Sequence, residues 1–394
     1  MPIPSPTITF RVPSIHDGKL LDCRIYLPDV LKRVELVPAW SGCGAIIAHP
    51  YAPLGGSFDD PVVGFICDEL LKEGCVVGTF NFRYVRITSA FNNADNISSG
   101  AGGSEGKTSW TGKAELADYV SFYCFILCFL RILKKMEDSP PRSPINGETD
   151  SAADIVKTDT ESASMWGLRL ILGGYSYGSL VASYLPTIGG IIRLFRDMHT
   201  GCPVQEIAST AERIFAGWRE GLQRDMQQHH SNLFSDDNSA AEDVLAGHAG
   251  ADPEAVVSML VSVPISISYM LVSPLLPPVS QFVTFFSPLS LSIGADASTQ
   301  RKHVPCPKPN DQLVSNRTLV VYGNEDTFTS TRKLRKWTSS LARSPHSKFQ
   351  YREIDGAGHF WKEDGVEAQA RSVIGHWVHD WGAPSPVVSR GSVR

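Results

Sequence analysis

The sequence is poor in cysteine. Eight cysteines in 394 residues are too few for a fold held together by disulfides. Most of them stand in apolar runs, so we expect reduced and buried thiols. Cys124 and Cys128 share a helix face, but no His or acidic residue accompanies them. We therefore predict no metal site at this pair.

An excess of basic residues is also missing. The chain has 36 Lys and Arg against 41 Asp and Glu, which gives a net charge of −5. Proteins that bind nucleic acids normally carry a basic stripe, and none is visible, so we predict no nucleic-acid partner. Hydrophobic residues make up 42% of the chain, which is ordinary globular usage and excludes a disordered or fibrous protein.

Long hydrophobic runs are also missing from the sequence. The first ten residues hold no basic segment followed by an apolar one, so we expect no signal peptide and a cytoplasmic location. The longest apolar stretch, residues 119–133, is shorter than the roughly twenty residues that span a bilayer. We predict a buried helix rather than an integral membrane span. The basic end of this stretch, residues 131–135, would allow peripheral contact with a membrane.

Apolar strands alternate with helices along most of the chain. This alternation predicts an α/β fold with a mostly parallel central sheet flanked by helices, and we interpret residues 1–394 as a single domain. The expected strands are residues 7–12, 20–27, 44–48, 75–82, 168–172, 265–271, 318–321 and 349–354. The expected helices are residues 61–72, 114–135, 179–185 and 366–381.

Three segments interrupt the alternation. Residues 92–111 are rich in Gly, Ser and Asn and are expected to form a loop. Residues 139–164 have almost no apolar content, and we predict a disordered surface excursion. Residues 187–260 carry apolar residues at helical spacing, which predicts a helical cap insertion that leaves the sheet at its carboxyl edge and roofs the pocket. The alternative is an insertion that packs on the outside of the domain.

A glycine-rich turn joins an apolar strand to a helix through Gly174-x-Ser176-x-Gly178. Such a turn exposes the serine hydroxyl at the carboxyl end of the sheet, and its glycines are needed because a Cβ would collide with the adjoining strand and helix. We predict that Ser176 is a nucleophile. The alternative is a plain turn without catalytic function.

A serine hydroxyl is a weak nucleophile until a base takes its proton. His359 follows a predicted strand and two glycines, and the other ten histidines lack this setting. The imidazolium then needs an oriented carboxylate, which the turn after residues 318–321 offers at Glu325 or Asp326. We choose Asp326, because it is the fourth residue of a G-x-x-D pattern that begins at Gly323, and a turn of this kind usually presents its fourth residue to the site.

The chain order Ser176, Asp326, His359 resembles that of the α/β-hydrolase superfamily. The resemblance covers roughly residues 7–381, apart from the three interrupting segments. Residues 48–57 resemble the loop of a little-characterised serine hydrolase branch that places His-Pro after its third strand. That branch also carries Asn-Phe-Arg at a strand end, here residues 81–83.

The resemblance implies an oxyanion hole made by two backbone N–H groups, those of Tyr51 and Tyr177. It implies no metal and no organic cofactor. The chain departs from the usual pattern of the superfamily at Pro50, where glycine usually follows the loop His, and from the branch at Tyr84, where glycine usually follows Asn-Phe-Arg. Pro50 has no N–H to donate.

Two other motifs are interpreted as structural. Residues 102–108 approach a phosphate-binding loop, but position 101 is Ala101 where the motif requires glycine. Asp59 and Asp60 could be a metal pair, but a helix N-terminus that favours carboxylates explains them better.

The sequence thus predicts a serine hydrolase that cleaves a small-molecule carboxylic ester or thioester through an acyl-enzyme on Ser176. The apolar run at residues 269–278 suggests apolar pocket walls and hence an acyl or aromatic group. One alternative is an acyltransferase or cyclase that uses the same triad. The other is a non-catalytic binding protein on the same fold. The sequence does not predict the oligomeric state.

Overall fold

The computed structural model describes residues 4–32, 40–83, 103–109, 111–137, 167–231, 252–284, 289–293 and 302–381. The strands are β1 Ile8–Pro13, β2 Leu20–Tyr26, β3 Cys43–Ala48, β4 Val76–Phe80, β5 Leu168–Tyr175, β6 Ile265–Val272, β7 Leu291–Ile293, β8 Lys302–Val304, β9 Arg317–Gly323 and β10 Phe349–Ile354. The helices are α1 Asp29–Lys32, α2 Pro61–Lys72, α3 Lys113–Glu137, α4 Tyr177–Ala182, α5 Ile188–Arg196, α6 Pro203–Ser231, α7 Pro253–Val261, α8 Val279–Val283, α9 Pro309–Ser315, α10 Thr331–Ala342 and α11 Val366–His379. A short 3₁₀ turn covers Ala52–Leu54.

Eight strands form the central sheet in the order β1-β2-β4-β3-β5-β6-β9-β10. Only β1 with β2 and β2 with β4 pair antiparallel in this sheet. Every side chain of β3 and β4 is buried, because helices cover both faces of the sheet. The predicted α/β class with a mostly parallel, helix-flanked sheet is confirmed. Since β3 and β5 are neighbours, the loops that follow them meet at the carboxyl edge.

Two helical layers cover the sheet. Helices α2 and α11 pack on one face, where Ile66 and Trp377 belong to one apolar cluster. Helices α3 and α4 pack on the other face, and α6 covers α3 from outside, with Phe215 against Phe129. Helix α3 is long and apolar enough to cross a membrane, but 94% of its most apolar stretch is buried inside the protein. The predicted buried helix is therefore confirmed.

The basic end of α3 is also buried. Arg131 and Lys134 are nearly inaccessible to solvent, and the Arg131 guanidinium donates to the carbonyl oxygens of Leu260 and Val263. The expectation that residues 131–135 could contact a membrane is therefore wrong for these two side chains. The Arg131 guanidinium instead holds α3 against the turn that precedes β6.

The insertion at residues 187–260 is helical where it is described, in α5, α6 and α7. Its point of departure differs from the expectation. Ile188, at the start of α5, lines one surface pocket together with Ile265 and Arg317, the first residues of β6 and β9. These residues mark the amino edge, because α4 runs back down the sheet from Ser176.

The expectation that the insertion leaves the sheet at the carboxyl edge is therefore wrong. The described part of the insertion flanks the domain, since α6 packs on α3 and β1. Residues 232–251 lie outside the described residues, so a cap formed by them stays a prediction. The predicted excursion at residues 139–164 also lies outside the described residues. Residues 103–109 contain no helix or strand, in agreement with the predicted loop.

Candidate active site

Ser176 occupies a strained turn between β5 and α4. Its φ of 55° and ψ of −112° lie in a region that side chains other than glycine rarely adopt. Its N–H donates to the carbonyl oxygen of Val272 at 2.9 Å, which anchors the turn to the end of β6. The strain presents the hydroxyl at the carboxyl edge of the sheet.

The glycines on both sides of Ser176 are required by packing. A β-carbon at Gly174 would lie 2.5 Å from the carbonyl carbon of Gly178, and one at Gly178 would lie 2.3 Å from the carbonyl oxygen of Ala48. Both distances are far below van der Waals contact. The turn can therefore be this sharp only with glycine at both positions, which is the reason given from the sequence.

The structure brings Ser176, His359 and Asp326 into one hydrogen-bonded chain. His359 Nε2 lies 2.9 Å from Ser176 Oγ, and His359 Nδ1 lies 2.7 Å from Asp326 Oδ2. All three residues are buried. This is the geometry in which an imidazole can take the serine proton while a carboxylate fixes its tautomer and stabilises its charge.

Asp326, and not Glu325, is the carboxylate that contacts His359. The second oxygen of Asp326, Oδ1, accepts the N–H groups of Phe328 at 2.8 Å and Thr329 at 2.9 Å. These bonds fix the carboxylate in the turn after β9. Glu325 is exposed, and its N–H donates to the carbonyl oxygen of Ala357 at 2.9 Å. The structure thus places Asp326 against His359 and Glu325 at the surface.

Aromatic side chains fix the His359 ring. Phe328 stacks on it with ring centroids 4.3 Å apart, and Phe360 meets it edge-on at 5.5 Å. The Tyr175 hydroxyl donates to the His359 carbonyl oxygen at 2.8 Å. Sequence patterns did not indicate the contacts of Phe328 and Tyr175 with His359, because these residues are far from His359 along the chain.

The two predicted oxyanion residues lie side by side. Tyr177 is the first residue of α4, where a backbone N–H has no partner inside the helix. Tyr51 follows the end of β3, which pairs with β5 through Ala48 and Gly174. The rings of Tyr51 and Tyr177 are 5.0 Å apart. Because Pro50 has no N–H, Tyr51 carries the first N–H after His49 on this loop.

His49 holds this loop, a role that the sequence did not predict. It is fully buried; its Nε2 accepts the Phe82 N–H at 2.9 Å, and its Nδ1 donates to the Pro50 carbonyl oxygen at 2.6 Å. Burial lowers the pKa of His49 to about 4, so the ring is neutral near pH 7 and suited to one donor and one acceptor bond. A His that directly follows a fully apolar strand is the signal that could have revealed this role.

The Asn-Phe-Arg segment at residues 81–83 braces the loops around the site. Asn81 Oδ1 accepts the Phe58 N–H at 2.9 Å, and Phe82 binds His49. Arg83 is buried and pairs with Asp118 at 2.6 Å and with Asp17 at 3.0 Å. These charges raise the pKa of Arg83 against the effect of burial. The three residues therefore hold the surrounding loops in place through hydrogen bonds and ion pairs.

A buried acid stands near the two tyrosines. Burial raises the pKa of Glu115, in the first turn of α3, to about 7. Its carboxyl group accepts both the N–H and the hydroxyl of Ser109. It also adds to the effect of burial in raising the phenol pKa of Tyr51 and Tyr177. Through these two hydrogen bonds Glu115 connects residues 103–109 to the first turn of α3, beside the two tyrosines.

Asp59 and Asp60 have the structural roles that were expected. Asp60 is the N-cap of α2, with Oδ1 accepting the Val62 N–H at 2.8 Å, and Asp59 pairs with Arg24. Within the described ranges, no group of three or more His, Cys, Asp or Glu side chains is arranged to hold a metal ion.

A cavity of about 630 Å³ lies beside α4. Leu180, Leu275 and Trp337 are among its lining residues, and no triad residue is. Two hydrogen bonds connect its wall to the site: the Thr329 hydroxyl, in the Asp326 turn, donates to the carbonyl oxygen of Pro274, and the hydroxyl of Ser179, a lining residue, donates to the carbonyl oxygen of Ser176. We do not assign the substrate to this cavity.

No protein-family model matches the sequence, and no curated protein does. Two solved structures can be named to which the chain is similar at low identity. An α/β serine hydrolase without a lid from Xanthomonas campestris matches with a TM-score of 0.41 and 14% identity, covering 97% of this chain and 99% of the other. The apo form of esterase 2 from Thermogutta terrifontis matches with a TM-score of 0.46 and 12% identity, covering 97% and 98%. At such scores and identities the chemistry has to be inferred from the site itself.

Proposed function

We propose that the protein is a serine hydrolase that cleaves a carboxylic ester or thioester through an acyl-enzyme on Ser176. The observation that carries the proposal is the hydrogen-bonded chain Ser176–His359–Asp326 at a strained strand-to-helix turn. A buried chain of this kind has no evident structural purpose, because the strain of the turn costs stability. The same chain of hydrogen bonds can activate the serine hydroxyl for attack on a carbonyl carbon.

Acylation starts when the Ser176 hydroxyl oxygen attacks the acyl carbonyl carbon. His359 Nε2 takes the hydroxyl proton, and the Asp326 carboxylate at Nδ1 stabilises the imidazolium that results. The N–H groups of Tyr51 and Tyr177 donate to the oxygen that becomes negative. When the tetrahedral intermediate collapses, the imidazolium gives its proton to the departing alkoxide or thiolate.

Deacylation repeats these steps with water. His359 takes a proton from water, and the hydroxide adds to the acyl carbon. When the second intermediate collapses, its bond to Ser176 Oγ breaks, the imidazolium returns its proton to that oxygen, and the acid leaves. The ring of Phe328 holds the imidazole in one orientation during both acylation and deacylation. The exposed Phe360 and half-buried Tyr51 favour an apolar acyl or leaving group. We retain a cytoplasmic location as part of the proposal.

The test is turnover of p-nitrophenyl esters and acyl thioesters of increasing chain length by the full chain. We expect measurable hydrolysis of at least one series, abolished by Ser176→Ala. Ser179→Ala is the matched control, since Ser179 lies on the same helix with its hydroxyl bonded to the Ser176 carbonyl oxygen at 2.7 Å. Equal activity of the wild type and the Ser176→Ala variant would contradict the proposal.

A further inference from the structure

The cavity of about 630 Å³ beside α4 has an apolar floor. Its volume falls in the range of small-molecule sites, roughly 300–1,000 Å³. Buried leucines line it from the four elements around it, and they are Leu180 of α4, Leu271 of β6, Leu313 of α9 and Leu341 of α10. Such a floor suits an apolar chain, which leaves water when it binds there.

The rim of the same cavity carries mainly positive charge. Lys308, Lys333 and Lys336 line it and are exposed, and Asp311 is the one acid among the described lining residues. Lys333 and Lys336 are three residues apart on α10, so they lie on one face of that helix. None of the three lysines forms an ion pair with a carboxylate of the residues that the structure describes.

Two hydrogen bonds hold the rim in place. The indole N–H of Trp337 donates to Asn310 Oδ1 at 3.1 Å, which joins α10 to the start of α9. The Lys333 ammonium donates to the Pro277 carbonyl oxygen at 3.2 Å, and its other two N–H groups remain for a ligand. The cavity therefore combines an apolar floor with positive charge at its mouth.

We propose that this cavity binds a single-chain amphiphile with a carboxylate head, the chain on the apolar floor and the carboxylate among Lys308, Lys333 and Lys336. Charges of one sign at the mouth of a cleft raise the local concentration of the opposite ion. A cationic amphiphile is repelled there, and a neutral one gains only from the floor. The site goes beyond the proposed function, but the choice of a carboxylate over another anion rests on it, because ester hydrolysis releases such acids.

The experiment is isothermal titration calorimetry of the full chain with octanoate, 1-octanol and octyltrimethylammonium, each kept below the concentration at which it aggregates. The three probes share one chain length and differ in the charge of the head. We expect octanoate to bind at least about fivefold more tightly than 1-octanol, and octyltrimethylammonium to bind more weakly than 1-octanol. Added salt should weaken the binding of octanoate but not that of 1-octanol.

The test variant is Lys333→Gln with Lys336→Gln. It should weaken octanoate binding by at least about fivefold and leave 1-octanol binding within about twofold. The control, Lys348→Gln with Arg352→Gln, removes the same charge from two exposed residues that do not line the cavity. It should leave the binding of both probes within about twofold of the wild type.

A second variant adds charge to the rim instead of removing it. Ser340 is exposed on α10 and lines the cavity, so Ser340→Glu places a carboxylate there without disturbing the core. It should also weaken octanoate binding and spare 1-octanol. Octanoate that binds no more tightly than 1-octanol, or that binds the Lys333 and Lys336 variant as well as the control, would overturn the inference.

Blocking the active site separates this inference from the proposed function. No triad residue lines the cavity, so protein labelled on Ser176 by a fluorophosphonate should bind octanoate as the unlabelled protein does. Loss of the lysine-dependent binding on labelling would place the ligand at the active site and overturn the inference. A protein that is neither labelled nor active on any ester would count against the proposed function, and calorimetry on the unlabelled chain would then decide the inference.

Discussion

Gly178 lies so close to Ala48 that a β-carbon at position 178 would be 2.3 Å from the Ala48 carbonyl oxygen. This contact joins the start of α4, just after the nucleophile, to the end of β3, just before the loop of Tyr51. The arrangement of the nucleophile and the predicted oxyanion donors therefore depends on a position that tolerates no side chain.

Gly178→Ala should destabilise the protein by more than about 3 kcal/mol, because the ends of β3 and α4 would have to separate. Gly217→Ala is the control. Gly217 lies in α6, and a β-carbon added to it would meet no other atom within 4 Å, so alanine there should raise the free energy of unfolding by up to about 1 kcal/mol. Urea denaturation followed by circular dichroism measures both. A Gly178→Ala protein as stable as the wild type would contradict the packing argument.

Asp326→Asn should lower kcat for ester hydrolysis by about 10³- to 10⁴-fold, because His359 would lose the charge that orients and stabilises it. Glu325→Gln should change kcat by less than about threefold, since that side chain is exposed. Steady-state kinetics on a dissolved p-nitrophenyl ester measures both. A loss at Glu325 as large as the loss at Asp326 would show that the carboxylate is misassigned.

His49→Ala should lower kcat by about 10²-fold with little change in KM, because the Tyr51 N–H would no longer be held toward the developing oxyanion. The measurement is kcat and KM on a dissolved ester, with circular dichroism to establish folding. His376→Ala is the control, since His376 is exposed on α11 and should leave both constants unchanged. An unaltered kcat in a folded His49→Ala protein would exclude the positioning role.

Glu115 makes stability depend on pH. Its pKa rises from 4.5 to about 7 through burial, so between these values the unfolded chain loses a proton that the folded chain keeps. The free energy of unfolding therefore falls as pH rises through this window, by up to about 3 kcal/mol. Glu115→Gln should remove that fall. Urea denaturation at pH 5 and pH 8 tests this, and an identical pH dependence in both proteins would contradict it.

Much of the sheet can be predicted from the sequence, because strands buried on both faces form short, continuous apolar runs, as in β3 and β5. The positions of Ser176 and His359 follow from glycine turns directly after such strands. Helix α10 is harder to predict. Only Leu334, Thr338 and Leu341 of its twelve residues are buried, so its pattern is mainly polar.

The insertion shows where pattern alone misleads. Apolar spacing at residues 187–260 predicts helices correctly, but it carries no information on which edge of the sheet they leave. That edge follows from chain direction: a strand ends at the carboxyl edge, and the helix after it returns the chain to the amino edge. Since Ile188 follows α4, it lies beside Ile265. The roles of His49 and Phe328 likewise depend on long-range contacts.

The most direct test of the central claim is covalent labelling by a fluorophosphonate probe. The proposed geometry predicts one adduct per chain in the intact-mass spectrum, located on Ser176 by peptide mapping. The Ser176→Ala variant, folded by circular dichroism, should show no adduct, and His359→Ala should react at least about 10³-fold more slowly. Stoichiometric labelling that persists in Ser176→Ala, or an adduct on another residue of the wild type, would contradict the assignment of Ser176 as the nucleophile.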